Sequence, residues 1–379
     1  IALALTTFAT WRPARVLLGA YLFGELRLPV VALTETEQAS TANDALEQIR
    51  GKHPVVGHLI GHREVCKLRG TYGWSMRRHV RADGRIHPSL LPDGARSGRL
   101  SSSDPNLQNI PSPKRRPLEG RMARDIFVAA PGYLLVQLDY KQIELKVAAM
   151  LSGDPDMLEI LAKPGADFHL AAAKLISRVA WNLPPEAITK DGLERAQAKT
   201  VVFGILYGKT ARTLAAEWGV SVSSAERVME AILGRFKVLA AWCKARKREG
   251  QVTGYVWTEW AEKPARRRNM HLVASPEDGQ RITAENGCVN SPVQGTAADY
   301  CTRSLIDCVD WILADKVPAK LILPVHDSLL FEVRNDAARE CVGVAREIMM
   351  SHPSRGVPLD VDVEYGSAWG SLVGWKGAA

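Results

Sequence analysis

Two runs of hydrophobic residues in this chain each lead to an aspartate. The apolar stretch 134–138 is typical of a buried strand and runs into Asp139, and the apolar positions that follow have helical spacing. Two further apolar runs, 321–325 and 329–333, enclose Asp327, which predicts a β-hairpin with this acid in its turn. Taken alone, each aspartate is more often a turn or capping residue than a metal ligand. On neighbouring strand ends, however, the two carboxylates can hold two divalent cations about 4 Å apart.

A stripe of four residues lies between these two segments. Arg195, Lys199, Phe203 and Tyr207 recur every four positions, so on one helix they share a face. Cations at the start of this face and aromatic rings at its end suit a nucleoside triphosphate, because the cations can bind phosphates while the rings pack on sugar and base. The alternative is an amphipathic helix with its rings in a core. Two interspersed glycines, each costing a helix about 1 kcal/mol, favour a surface that something approaches closely.

Four segments of the chain follow one another in this order: SGRLSSSDPNLQNIP at 97–111, DYKQIEL at 139–145, RAQAKTVVFGILYG at 195–208 and PVHDS at 324–328. They resemble, in order, the motifs of family A DNA polymerases, the family of bacterial DNA polymerase I and its phage relatives. The first resembles the primer-template-binding signature, and the other three resemble motifs A, B and C. The resemblance extends over about residues 45 to 370.

This resemblance implies an α+β fold, a right-hand polymerase with an antiparallel-sheet palm, helical fingers and a shortened helical thumb. The expected domains are a partial thumb at 1–84, the first part of the palm at 85–151, the fingers at 152–265 and the second part of the palm at 266–379. The chain begins at Ile1 rather than methionine, so we expect a fragment or processed piece of a longer protein.

The resemblance also implies a template-directed DNA polymerase that extends a primer 3′-hydroxyl with deoxynucleoside triphosphates. Asp139, Asp327 and the backbone carbonyl of Tyr140 would hold two Mg²⁺ ions, for which Mn²⁺ would substitute. Lys199 would protonate the leaving pyrophosphate. Seven side chains would contact the nucleotide: Gln142, Glu144, His169, Arg195, Lys199, Phe203 and Tyr207.

Two of these residues would select the sugar. Glu144 resembles the family's steric gate, which crowds the position of a ribose 2′-hydroxyl. A phenylalanine at the position of Phe203 accompanies discrimination against dideoxynucleotides in this family, whereas a tyrosine accompanies their acceptance.

Five residues resemble those that contact the primer-template: Arg99, Asn109, Asn290, Gln294 and His326. Arginine and glutamine in the minor groove can test base-pair geometry without reading sequence. For Asn290 and Gln294 the alternative is capping of a helix predicted from Ala297 onward.

Three positions depart from the family pattern. Asn286 stands where bacterial members usually have an arginine that touches DNA, and Ser328 stands where they usually have a glutamate. Lys141 replaces a small residue, and its sequence context does not explain it.

Composition agrees with a polyanionic partner. The net charge is +8, and residues 51–130 contain 15 Lys and Arg against 6 Asp and Glu, so this block carries the whole excess. A solvated basic surface is the alternative.

The six cysteines have no zinc-ligand spacing, and the sequence contains neither a signal peptide nor a long apolar run. We therefore expect a cytoplasmic protein, of a bacterium or a phage-infected cell, that binds primer-template DNA and no membrane.

Three other functions compete with this interpretation. A metal-dependent nuclease also uses two acids but does not need the cationic and aromatic stripe. A single-subunit RNA polymerase lacks an acidic gate at the position of Glu144. A non-catalytic DNA-binding module does not need both aspartates.

Overall fold

The computed structural model of the protein describes residues 46–375, apart from positions 48, 52, 115, 164 and 262. The chain divides into two compact units, Ile1–His87 and Pro88–Ala379. Most of the predicted partial thumb, residues 1–45, lies outside the described residues.

Within the first unit, the described residues are mainly helical. Helix α1, Pro54–Lys67, begins where the His53 side chain accepts a hydrogen bond from the Val55 amide. A π-helical segment, Leu68–Gly73, joins it to the short helix α2, Trp74–Arg77.

All strands of the second unit pair in antiparallel fashion. They are β1 Ser89–Leu91, β2 Ser101–Ser103, β3 Tyr133–Tyr140, β4 Tyr255–Trp260, β5 Lys263–Asn269, β6 Ala319–Val325, β7 Ser328–Arg334, β8 Val361–Gly366 and β9 Val373–Gly374. Five of them form one sheet in the order β6-β7-β3-β8-β9. The mixture of helices with an antiparallel sheet confirms the predicted α+β class.

The helices of this unit lie mostly between β3 and β4. They are α3 Pro117–Arg124, α4 Ile143–Ser152, α5 Pro155–Leu161, α6 Phe168–Trp181, α7 Leu193–Leu206, α8 Ala211–Trp218, α9 Val222–Arg235, α10 Lys237–Thr253, α11 Asp278–Ala314 and α12 Ala338–Met350. Polar residues cap several of them: Asp154 accepts hydrogen bonds from the first turn of α5, and Thr210 and Ser221 do so for α8 and α9.

One contiguous apolar core joins the sheet to the helical layer. Strand β7 is buried along almost its whole length, because α11 and α12 pack on the sheet and β6 and β3 flank it. The core continues through α4 into α6, α7 and α9. Strand β3, which carries Asp139, is therefore fixed by neighbours on each side. In the part of the chain that the structure describes, no helix has the length and apolarity to cross a membrane.

Helix α11 corrects one sequence-based expectation. It is continuous for 37 residues and includes Pro292, so Asn290 and Gln294 lie inside it rather than capping a helix that begins at Ala297. A proline inside a helix costs about 3 kcal/mol. Residues 291–293 are buried, and their packing offsets that cost.

Candidate active site

The two aspartates predicted to work together lie at one end of the central sheet. Asp139 is near the end of β3, and Asp327 lies in the two-residue turn between β6 and β7. The register places Asp139 opposite Ser328, the residue after Asp327. The backbone amide of Tyr140 donates to the Asp327 carbonyl oxygen at 3.1 Å, which ties the turn to the strand.

A left-handed residue lies beside each aspartate. His326 has φ 56° in the hairpin turn, and Gln142 has φ 51° where β3 leads into α4. Such a conformation costs a residue with a side chain about 1–2 kcal/mol. The Gln142 side chain also accepts a hydrogen bond from the Phe168 amide and donates one to the Ala166 carbonyl, so it fixes the start of α6.

The electrostatics of the pair favour a bound cation. Burial, and then the charge of Asp327, raises the pKa of Asp139 to about 7. Burial also raises the pKa of Asp327. Two carboxylates that resist ionisation together are stabilised by a divalent cation, for which carboxylate oxygens are suitable ligands. Among the described residues no cluster of three or more His, Cys, Asp or Glu can hold a metal, so the remaining ligands of a cation here would be backbone or substrate oxygens and water.

Replacing Asp139 with asparagine is expected to stabilise the metal-free protein. The folded-state pKa of about 7 lies above the ordinary value of 3.8. The carboxylate therefore ionises more readily in the unfolded chain, and its charge destabilises the fold increasingly as pH rises from about 4 to 7. In EDTA at pH 8, Asp139→Asn should raise the free energy of unfolding by on the order of 2 kcal/mol, with a smaller gain at pH 5. Denaturant unfolding at both pH values measures this difference.

Asp336 provides the matched control, because it lies just beyond the far end of β7. A hydrogen bond from Arg334 lowers its pKa. Asp336→Asn should give no gain at either pH. An Asp139→Asn variant that is no more stable than the parent at pH 8 would show that the charge of Asp139 does not destabilise the folded protein.

The stripe of Arg195, Lys199, Phe203 and Tyr207 forms along one helix, as the spacing predicts. Helix α7 spans Leu193–Leu206, and Tyr207 is its C-cap. The Phe203 and Tyr207 rings stack with centroids 5.8 Å apart, and the Lys199 ammonium lies 5.8 Å from the Phe203 ring centroid.

The first cation of the stripe already has a partner. Arg195 Nε donates to Asp167 Oδ2 at 2.7 Å. Burial opposes ionisation of Asp167, but hydrogen bonds from Arg195 and the Leu170 amide outweigh it and lower its pKa. Lys199 is exposed and belongs to none of the ion pairs formed between described residues. A phosphate entering this site would meet Lys199 directly and compete with Asp167 for Arg195.

His169 lies behind the stripe. Its ring is 5.4 Å from that of Phe203, and its side chain is almost wholly buried. Burial, and then the charge of Lys199, lowers the pKa of His169 to about 4, so the imidazole is neutral at pH 7. Its Nδ1 atom is buried without a hydrogen-bond partner in the described protein. A buried polar atom of this kind can bind a ligand without first breaking an internal contact.

Glu144 is held from two sides. Arg99 Nη2 donates to its Oε1 atom at 2.7 Å, and the Tyr207 hydroxyl donates to its Oε2 atom. The side-chain amide of Gln294 bonds the same hydroxyl. Helix α4, helix α7 and the segment at 97–111 thus meet at one carboxylate, which has little freedom to move aside.

The five predicted DNA contacts do not converge at one point. Arg99 and His326 line a small cavity together with Cys301 and Gln108, whose side chain donates to the Pro324 carbonyl. Gln294 reaches the Tyr207 hydroxyl. The two asparagines, Asn109 and Asn290, are not among the residues that line this cavity.

Asn109 and Asn290 differ in their surroundings. Asn109 is exposed. Asn290 carries a buried Oδ1 atom without a partner in the part of the chain described.

The glycines of the stripe are approached by the chain itself. A Cβ atom on Gly208, which has φ 77°, would lie 2.0 Å from the Asn286 side chain, and one on Gly204 would lie 2.9 Å from Lys209. The Asn286 amide contacts the Gly208 carbonyl at 3.4 Å and accepts a hydrogen bond from Lys247 at 3.0 Å. The close approach predicted from these glycines is therefore intramolecular.

The structure explains two departures from the family pattern. Lys141 Nζ lies 2.8 Å from Asp362 Oδ1, and Asp362 is directly opposite Asp139 on β8. Lys141 thus balances a third carboxylate beside the pair. Ser328 is buried, and its hydroxyl donates to the Val325 carbonyl, which closes the hairpin turn.

Sequence reasoning missed Asp362 and Asp167. The alternating pattern at 360–364, with acids at 360, 362 and 364, indicates a strand with one acidic face, but only the register of β8 shows that Asp362 lies opposite Asp139. Asp167 carried a clearer signal, because an acidic residue directly before an apolar helical run is a common N-cap, and the Asp167 side chain accepts from the Leu170 amide.

Residues 14–371 match the family described as DNA polymerase family A. The chain belongs to that family.

Curated relatives are DNA polymerases I. The chain is 40% identical over 350 residues to the thermostable DNA polymerase I of Thermus filiformis, an alignment that covers 92% of this chain and 40% of the relative. It is 35% identical over 355 residues to DNA polymerase I of Pseudomonas aeruginosa, covering 93% of this chain and 37% of the relative. The chain thus spans about 40% of the length of the first of these relatives.

A solved structure has the same fold. The POL domain of Pol1 from M. smegmatis, in complex with DNA primer-template and dNTP, superposes with a TM-score of 0.81 at 34% identity. The match covers 95% of this chain and 61% of that one.

Proposed function

We propose that this chain is a template-directed DNA polymerase that adds deoxynucleoside triphosphates to a primer 3′-hydroxyl and releases pyrophosphate. The observation that carries the proposal is the joining of Asp139 and Asp327 at one sheet end, together with a cationic and aromatic face on α7. Membership of DNA polymerase family A and the M. smegmatis structure with primer-template and dNTP support it.

We assign the five-stranded sheet and α4 to the palm and helices α5 to α10 to the fingers. The boundary expected between residues 265 and 266 falls within β5. Because β4 and β5 pair as one hairpin, we assign both strands to the same domain. The described part of 1–84 is assigned to the thumb. We also assign the protein to the cytoplasm, in agreement with its free cysteines.

The cation site would consist of Asp139, Asp327 and the Tyr140 backbone carbonyl. Two Mg²⁺ ions held there, or Mn²⁺ in their place, would lower the pKa of the primer 3′-hydroxyl and neutralise charge on the triphosphate. The protein's task is to keep both carboxylates in place, which the Tyr140 to Asp327 hydrogen bond and the left-handed turn support, and the cations would keep them ionised.

The fingers helix would bind the nucleotide. The primer oxygen forms a bond to the α-phosphorus while the bond to pyrophosphate breaks. Lys199 would then give a proton to the leaving oxygen. Arg195 would exchange Asp167 for a phosphate oxygen, and His169 would accept or donate through its unpartnered Nδ1 atom. Phe203 and Tyr207 would pack against the sugar and base.

Nucleic-acid contacts would come from the residues around the small cavity and from α11. Arg99, Gln294 and His326 would face the nascent base pair and the primer end. Asn109 and Asn290 would contact the primer and template strands farther along the duplex. The basic block at 51–130 favours backbone binding, because each phosphate neutralised releases counterions.

Primer extension tests the proposal directly. The chain is incubated with a 5′-labelled primer on a longer template, Mg²⁺ and deoxynucleoside triphosphates, and we expect products that lengthen in template order. Primer shortening without nucleotides would indicate a nuclease, and faster extension with ribonucleotides an RNA polymerase. A chain that binds the duplex without extending it would contradict the proposal.

Phe203 predicts the response to chain terminators. Its phenyl ring offers no polar contact near the sugar, so the substrate's own 3′-hydroxyl would supply the hydrogen bonding. Loss of such a bond to a charged partner costs about 1.5–3 kcal/mol, roughly ten- to a few hundredfold in kcat/KM. We expect the parent to disfavour dideoxynucleotides by at least about tenfold and Phe203→Tyr to narrow the gap.

Matched deoxy and dideoxy substrates on one template measure this ratio. Trp218→Phe is the control, because Trp218 is an aromatic residue of the same helical layer that stacks on Trp181 rather than on the stripe. A parent that accepts both sugars equally would show that Phe203 does not face the sugar.

A further inference from the structure

A buried chain of polar side chains lies behind the cation site. The Tyr140 hydroxyl is 2.7 Å from Ser304 Oγ on α11, and Ser304 Oγ is 2.9 Å from His352 Nε2, just beyond α12. The Tyr140 hydroxyl also donates to the Met349 carbonyl, and Ser304 Oγ donates to the Tyr300 carbonyl at 2.8 Å. Tyr140, Ser304 and His352 are at most 8% exposed, and Ser304 is fully buried.

The serine and histidine are not a nucleophile and its base. Asp307 lies 4.0 Å from His352 Nδ1, so the three residues resemble a catalytic triad in composition. The Ser304 hydroxyl is enclosed on all sides and its proton is used by a carbonyl, so no substrate can reach it. These side chains must therefore act by holding a neighbouring part of the structure in place.

Counting protons assigns the direction of the hydrogen bonds. The Met349 carbonyl only accepts, so it takes the single proton of Tyr140, and the single proton of Ser304 is shared between the Tyr300 carbonyl and the Tyr140 hydroxyl oxygen. The contact between Ser304 and His352 then needs a proton from the imidazole, which places that proton on Nε2. Ser304 is thus held by His352 and in turn holds the Tyr140 ring.

We call the hydrogen-bonded series Tyr140, Ser304 and His352 the relay. Tyr140 connects this relay to both aspartates. It follows Asp139 directly on β3, and its backbone amide donates to the Asp327 carbonyl at 3.1 Å. Its side chain lies on the opposite face of the strand from that of Asp139, as neighbouring residues in a strand do. Any rotation or shift of the Tyr140 ring is therefore transmitted to the backbone that spaces the two carboxylates.

We propose that Ser304 and His352 are positioning residues for the divalent-cation site, acting through Tyr140 to set the spacing of Asp139 and Asp327. This inference rests on the proposed polymerase function for the role of the cations. Outer-shell partners of metal ligands typically change metal affinity by ten- to a hundredfold. Because the relay acts through a backbone, we expect the lower end of that range.

The test compares Ser304→Ala with Ser177→Ala. Ser177 is also fully buried, but its hydroxyl donates to Lys174 within its own helix α6, so its loss should reduce stability without reaching the cation site. Mn²⁺ affinity is measured from the decrease of the free-ion EPR signal, and the Mg²⁺ concentration for half-maximal primer extension is measured in parallel. We expect Ser304→Ala to weaken both by about tenfold and Ser177→Ala to leave both unchanged.

Two variants of His352 separate positioning from packing. His352→Gln keeps an N–H donor and should remain near the parent, whereas His352→Leu should behave as Ser304→Ala. Equal Mn²⁺ affinity in Ser304→Ala, Ser177→Ala and the parent would overturn the proposal. A parent that binds Mn²⁺ but extends no primer would instead contradict the proposed polymerase function, and the Mn²⁺ comparison would still decide the role of the relay.

Discussion

Asp327→Asn is expected to eliminate nucleotide incorporation while leaving primer-template binding within a few fold of the parent. The side chain keeps its size but loses the charge that a divalent cation requires. Loss of about 4 kcal/mol of transition-state stabilisation lowers kcat about a thousandfold. Duplex binding depends mainly on phosphate contacts by basic residues, so it should persist. Single-turnover incorporation and a fluorescence titration of labelled duplex measure the two effects separately.

Asp336→Asn serves again as the control, since Asp336 follows the far end of β7 and pairs with Arg334. It should retain full activity. Asp139→Asn should match Asp327→Asn in activity, although Asp362 lies directly opposite it, because Lys141 already pairs with Asp362. Appreciable turnover by either active-site variant would contradict the assignment of both carboxylates to the cations.

Glu144→Ala is expected to admit ribonucleotides far more readily than the parent. The parent carboxylate is fixed by Arg99 and by the Tyr207 hydroxyl, so it cannot rotate away from an added 2′-hydroxyl. Crowding of one oxygen against a fixed group costs about 1–3 kcal/mol, or roughly five- to two-hundredfold in selectivity. The ratio of kcat/KM for matched deoxy and ribo substrates measures the change.

Two variants distinguish bulk from charge at this position. Glu144→Gln keeps the bulk and should retain most of the discrimination. Tyr207→Phe removes one tether without altering the carboxylate, so it should relax the discrimination less than Glu144→Ala does. An unchanged sugar ratio in Glu144→Ala would remove this residue from sugar selection.

The spacing of apolar and polar residues was sufficient to predict those parts of the site that lie on a single hairpin or helix. The hairpin that carries Asp327 and the stripe on α7 both follow from the spacing of apolar and polar residues within a short segment. These features depend on neighbours in sequence. The α+β class was instead implied by the resemblance to family A DNA polymerases, and the antiparallel sheet with its helices agrees with it.

Pairings between distant segments could not be predicted. Asp362 reaches Asp139 because β8 pairs with β3, which lies more than 200 residues earlier, and no pattern within β8 specifies that register. Some residues that were predicted to contact the nucleotide also have partners within the protein; Arg195, for example, pairs with Asp167. Such contacts depend on how elements pack, which spacing along the chain does not encode.

The continuous helix α11 shows a different limit of sequence reasoning. Proline normally ends a helix, and the rule predicts a new start after Pro292. Tertiary packing of the surrounding turns outweighs this local preference.

The left-handed residues beside the aspartates have a consequence for how this protein tolerates mutation. Glycine or asparagine would occupy positions 142 and 326 with about 1 kcal/mol less backbone cost than glutamine or histidine. A library screened only for heat resistance should therefore enrich glycine and asparagine at position 326, whereas at position 142 the loss of the hydrogen bonds to Phe168 and Ala166 offsets that gain. A library screened for primer extension should keep His326, because its side chain lines the cavity beside Asp327. We expect the two screens to diverge at codon 326 and to agree at codon 142.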